Sequence, residues 1–230
     1  MRTTLTLAVL AMLLTAAGEP KSVSLLGPAD LDPALVLPPP PASGSPQARA
    51  ELAELMAMDR ARTPAMLAAA RFDSETKNAS IFAAAIGPAF QLASLPATTR
   101  LMQEVRAAEK DAADRGKAHF RRNRPWVAAP GLHHCGKDDD ADWSSYPSGH
   151  TTMAFSMAAI LARLEPAHAP AIMARAADYG QSRIVCEVHY RSDVTAGETL
   201  GLVVSDRLMA NAQFAADYAA AKSELAAAGL

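Results

Sequence analysis

The sequence predicts an all-α fold, a compact helical bundle, and three observations carry that expectation. Alanine, leucine and methionine dominate the hydrophobic half of the chain, while aromatic residues make up only 5% of it. That choice favours helix over sheet, because β-branched and aromatic side chains are the ones that suit strands. Apolar residues also recur at helical spacing through most of the chain, and no segment shows convincing strand alternation or an internal repeat.

The elements follow in order. Arg2 precedes an apolar run from Leu5 to Leu14 broken only by Thr6, and Thr15-Ala16-Ala17-Gly18 then supplies small residues. This is the pattern of a cleaved signal peptide over residues 1–18, with the periplasm as destination. The alternative is a retained membrane anchor, for which the run is short. Residues 19–46 hold Pro38-Pro39-Pro40-Pro41 and read as an extended arm, lying on the domain or tethering it. Residues 47–230 form the domain.

Within it, Ala48 to Arg60 repeats Leu52, Leu55 and Met56 on one face, and Pro64 stands at a first helical position for a helix through Arg71. The methionines from Met56 to Met66 read as core filling. Ile81 to Leu95 is apolar and broken near Gly87-Pro88. Thr98 or Thr99 can cap a long helix toward Arg121. His133 to Trp143 is a polar loop, Ser148 can cap an apolar helix through Leu164, Pro170 opens another toward Arg183, and a last pair runs from His189 onward.

A formal net charge of −2 supplies no global field toward nucleic acid or anionic lipid, so no nucleic-acid partner is expected. Affinity for an anion must come from a local cluster of cations. Export makes Cys135 and Cys186 a candidate disulfide rather than two buried thiols, contributing about 4 kcal/mol in the chain-entropy picture.

Three segments carry chemistry. In the first, Lys117 and Arg124 are seven apart and would project from one helix face, with Pro125 ending that helix. A point-charge ammonium beside a planar guanidinium suits phosphoryl oxygens. Arg121 and Arg122 nearby read as a solvated basic end. In the second, Pro147-Ser148-Gly149-His150 opens an apolar helix whose N-terminus can receive an oxyanion. Gly149 permits close approach, Ser148 caps or donates, and His150 stands ready for proton transfer. In the third, Ser182-Arg183 leads to His189 and then Asp193 four residues on. There Asp193 can accept the His189 Nδ1 proton and leave Nε2 as an unprotonated nucleophile, with Arg183 adding a second guanidinium.

In this order the three segments resemble the acid phosphatase signature shared by the type 2 phosphatidic acid phosphatase superfamily and the vanadium haloperoxidases. The Leu37-Pro38-Pro39-Pro40-Pro41 segment, the Ser145-Tyr146 lead-in and the two cysteine positions make the chain most similar to the class A bacterial nonspecific acid phosphatases. The resemblance implies an all-α fold and a hydrolase of small phosphate monoesters that needs no metal or other cofactor. A phosphotransferase side activity and a homo-oligomer are compatible with it. It implies that Lys117, Arg124, Ser148, Gly149 and Arg183 bind the phosphoryl group. His189, oriented by Asp193, would become phosphohistidine, and His150 would act as general acid and then base.

The chain departs from the family at Glu187, where relatives commonly carry glycine, and at Tyr190-Arg191, where they carry Trp-Gln. Glu187 implies a changed turn before the nucleophile and a carboxylate near the anion site. Two rival readings use the same residues. A vanadate-dependent haloperoxidase would ligate its oxide through His189. A zinc-binding module would draw on His133, His134, Cys135 and Asp138-Asp139-Asp140, although adjacent histidines do not easily face one tetrahedral ion.

Overall fold

A computed structural model describes residues 23–135 and 141–230, and the expected signal segment lies outside them. Ten α-helices are described: α1 (Pro33–Val36), α2 (Pro46–Ala61), α3 (Pro64–Glu75), α4 (Ala83–Ile86), α5 (Pro96–Phe120), α6 (Pro125–Ala128), α7 (Gly149–Leu164), α8 (Ala169–Val185), α9 (Arg191–Met209) and α10 (Ala212–Ala227). No strand occurs among the described residues, and none of their helices is long and apolar enough to cross a membrane.

The most hydrophobic of the long helices, α7, occupies the centre, with every residue from Thr151 to Leu161 buried. Helices α5, α8 and α9 surround it, α10 packs on α5, and α3 on α8. The α7–α9 contact depends on two glycines one turn apart. A Cβ on Gly197 would stand 2.7 Å from the Ser148 carbonyl oxygen, and one on Gly201 2.7 Å from that of Thr152. Only hydrogen atoms on α9 let the two backbones meet, and this seats the C-terminal helices against the start of α7.

Local chemistry sets the helix ends. Ser45 and Thr63 cap α2 and α3, each followed by proline at the first position. The start of α5 differs from expectation. It begins at Pro96 with no side-chain cap of its own, and Thr98 and Thr99 lie inside the helix. The orphaned N–H groups of Ala97 and Thr98 instead donate to the Glu224 carboxylate of α10, at 2.9 and 2.8 Å. The cap comes from another helix, so it also fastens α10 in place.

Residues 23–46 lie on the domain rather than leaving it. Leu26, Leu31 and Leu37 are buried in the main core, and the Tyr146 hydroxyl donates to the Pro38 carbonyl at 2.6 Å. Met56 and Met66, expected in the core, are 46% and 37% exposed, because the buried face of α2 is carried by Leu55 and Glu51 and that of α3 by Ala70 and Asp73. Cys135 and Cys186 form the expected disulfide. It ties the described part of the polar loop to the turn that follows α8.

Candidate active site

Four segments converge at the N-terminal end of α7 to form a pocket of ≈ 220 Å³. Among its lining residues are Lys117, Arg124, Gly149, His150, Arg183 and His189. These are six of the eight residues expected in the site. Ser148 and Asp193 do not line it and stand behind it.

Lys117 and Arg124 do not share a helix face. Helix α5 ends at Phe120, where Arg121 takes a left-handed conformation at φ 46°, and Arg124 becomes the N-cap residue of α6. The non-helical link from 121 to 124 returns Arg124 to the pocket. Within it Arg122 and Arg124 take different partners, Asp193 and Glu51 for the first and Val188 and His189 for the second. Arg124 is buried, and its Nη1 donates to the Val188 carbonyl at 2.8 Å and approaches His189 Nε2 at 3.0 Å. A guanidinium has no acceptor, so His189 Nε2 must be the unprotonated nitrogen and Nδ1 the protonated one.

His189 precedes α9 and is not part of it, since Tyr190 is the N-cap. Its Nδ1 is 3.4 Å from Asp193 Oδ2 without hydrogen-bond geometry. Asp193 is strongly engaged elsewhere. It accepts from the Tyr190 N–H at 2.8 Å, closing the capping box of α9, and from the Ser145 hydroxyl at 2.6 Å. Arg122 Nη1 donates to its other oxygen at 2.6 Å.

Arg122 is the residue that sequence reasoning missed. The expected solvated cation is half-buried with its side chain 9% exposed, bridges Asp193 to Glu51 of α2 (2.8 Å), and lies over the Tyr190 ring at 4.1 Å. Its partners are far apart in the chain, and no local signal pointed to them. Ser144 was missed likewise, its hydroxyl accepting from Arg124 Nη2 at 3.2 Å.

Ser148 caps α7, its hydroxyl accepting from the Thr151 hydroxyl at 2.9 Å and from the Thr151 N–H at 3.4 Å. Gly149 opens the pocket floor, since a Cβ there would stand 3.4 Å from Lys117 Nζ. His150 Nε2 lies 3.0 Å from the Ser74 carbonyl, which can only accept, so that nitrogen carries a proton. Burial, then Arg183, holds the His150 pKa well below the usual histidine value. Burial, followed by Arg124 and Arg183, does the same for His189. The same surroundings disfavour the protonated form of both imidazoles.

Glu187 occupies the left-handed region at φ 56°, a conformation that glycine adopts without strain. The turn expected to change is thus held in a glycine-like geometry. The Glu187 carboxylate does not approach the anion site, because it pairs with Arg62 at 2.9 Å on the side away from the pocket. Burial pushes its carboxyl up to about 7 despite Arg62. Arg191 likewise leaves the pocket to pair with Glu54. Among the described residues no group of three or more His, Cys, Asp or Glu could hold a metal ion, and Cys135 is consumed by its disulfide.

Comparison with known proteins agrees with this geometry. Residues 89–215 match the family model described as the PAP2 superfamily. The chain is 36% identical to an acid phosphatase of Zymomonas mobilis, over 84% of this chain and 75% of the relative. It is 31% identical to a non-specific acid phosphatase of Providencia stuartii, over 85% and 82%. Among solved structures, Aquifex aeolicus LpxE superposes with a TM-score of 0.54 at 22% identity, covering 67% of this chain and 92% of that one. That likeness shows the fold alone. A family match across the site-bearing helices, with relatives aligned over most of their length, means that the chain belongs to the PAP2 superfamily, in its class A acid phosphatase branch.

Proposed function

We propose that the protein hydrolyses small phosphate monoesters through a covalent phosphohistidine on His189. The observation that carries this reading is the Arg124–His189 contact, which fixes Nε2 as the lone-pair nitrogen inside a cation-lined pocket. The acid phosphatase names of the relatives support the hydrolytic chemistry over haloperoxidation.

The phosphoryl group enters among Lys117, Arg124 and Arg183, with its oxygens drawing Arg124 away from Nε2. The Nε2 lone pair attacks phosphorus in line as the P–O bond to the leaving alcohol breaks. His150, which takes up a proton on Nδ1 as the anion binds, gives that proton to the alkoxide. Its Nε2 is bound to the Ser74 carbonyl, which leaves Nδ1 for this transfer. Water, deprotonated by His150, then displaces His189 and releases inorganic phosphate. The fixed cations act on charge spread over the phosphoryl oxygens, and the Asp193 carboxylate behind His189 Nδ1–H favours the cationic phosphohistidine. Ser148 contributes by holding the start of α7 so that the Gly149 backbone faces the anion. Residues 1–18 would direct export to the periplasm.

The test is hydrolysis of p-nitrophenyl phosphate by the mature protein after exhaustive EDTA treatment, beside His189→Ala. Activity that survives chelation and vanishes in the variant is expected. Loss of activity with EDTA, or its survival in His189→Ala, overturns the mechanism.

A further inference from the structure

The pocket is wider than a single phosphoryl group requires. Beyond Lys117, Arg124 and Arg183 its mouth is lined by Lys77, from the turn after α3, and by Arg106 and Lys110 of α5. Glu109 and Asp114 are the only carboxylates among the lining residues. Arg106 pairs with Glu109 and Lys110 with Asp114. The wall therefore carries six cations against two acids in a chain whose formal net charge is −2.

A single phosphoryl group at His189 engages Lys117, Arg124 and Arg183, and Lys77, Arg106 and Lys110 lie beyond it on the same wall. Glu109 is fully buried, and burial pushes its carboxyl up to about 7. At mildly acidic pH it is neutral and does not cancel Arg106. Lys110 lies seven residues before Lys117 on the same helix, about 10 Å along its axis. That span suits the two esterified ends of a six-carbon sugar.

We propose that Lys77, Arg106 and Lys110 form a second anion subsite, and that the preferred substrates are small bisphosphates whose second phosphate rests there while the first is cleaved at His189. This rests on the phosphatase reading above. A cationic mouth both steers such a substrate inward and holds it once bound.

The experiment compares kcat/KM for fructose 1,6-bisphosphate with fructose 1-phosphate and fructose 6-phosphate, in the wild type and in Lys77→Gln/Lys110→Gln. Both lysines are exposed, so the fold is not at stake, and Arg106 is left to its buried partner. The wild type should prefer the bisphosphate by roughly tenfold, beyond the advantage of having two cleavable groups. In the double variant that preference should collapse while the monophosphate values hold, and Lys77→Glu/Lys110→Glu should reverse it. Equal rates on all three substrates in the wild type, or a preference that survives both double variants, overturns the subsite. Failure to hydrolyse p-nitrophenyl phosphate as well would instead overturn the phosphatase reading.

Discussion

Arg124 and His189 meet at 3.0 Å, guanidinium Nη1 against imidazole Nε2, and the same nitrogen of Arg124 holds the Val188 carbonyl at 2.8 Å. One side chain thus fixes the tautomer of His189, the proposed nucleophile, and the backbone that presents it. Arg124→Lys keeps the charge but loses the fork. It should lower kcat/KM for p-nitrophenyl phosphate by about a hundredfold or more, with kcat taking most of the loss. A change below about threefold would mean that the site needs a positive charge there and not its geometry.

The two depressed histidines make a prediction about pH. Each resists protonation in the folded protein, yet is protonated in the unfolded chain below about 6.5. In that window the unfolded state binds more protons, so this contribution to stability is lost as pH falls through 6.5. An anion in the pocket offsets the cations that depress both groups. Inorganic phosphate should therefore raise Tm more at pH 5.5 than at pH 8, and ring NMR should show one imidazole gaining a proton on phosphate binding. A larger gain at pH 8 would contradict a neutral pair in the free protein.

Glu187 titrates with the opposite sign. Its folded pKa of about 7 lies above the 4.5 of an ordinary glutamate, so the stability it contributes is present at low pH and is lost as pH rises through 7. Glu187→Gln removes the dependence. Relative to the wild type the variant should gain about 2–3 kcal/mol between pH 5 and pH 8, read from urea melts. A constant difference across that range would mean that Arg62 keeps the carboxylate ionised throughout.

Much of the site was legible because its motifs are local. Gly149-His150 sits at a helix start wherever that helix packs, and Arg183 and His189 are six residues apart on a single turn out of α8. What the sequence hid is pairing across the chain. Arg122 looked like a solvated helix end because neither Asp193 nor Glu51 is near it in sequence, and the start of α5 seemed to need its own threonine because Glu224 is remote. Lys117 and Arg124 do line one pocket, but through a left-handed break at Arg121 that no helical spacing contains.

Arg122 yields a prediction from that hidden pairing. It is the cation between two buried carboxylates, Asp193 and Glu51, and removing it strands both. Arg122→Met should destabilise by about 3–5 kcal/mol, the range for breaking a buried ion pair. It should also lower kcat, because Asp193 caps α9 directly behind His189. If activity per folded molecule is unchanged at low temperature, Arg122 serves the fold alone.

The last prediction concerns the seam that seats the site. At Gly197 and Gly201 a methyl group would collide with α7 backbone carbonyls at 2.7 Å, and backbone inside a buried helix cannot turn aside as a side chain can. Alanine is the better helix former, so propensity alone would make Gly201→Ala stabilising by roughly 1 kcal/mol. Packing opposes it, because α9 must move outward by a few tenths of an ångström along a contact where Val204 and Leu208 are fully buried. Net destabilisation of about 1–3 kcal/mol is expected for Gly201→Ala. At Gly197 the same shift acts one turn closer to Asp193, so Gly197→Ala should also reduce kcat. A thermal melt in which both variants match or exceed the wild type would show that the helices separate without loss, and that their close contact is not what positions His189.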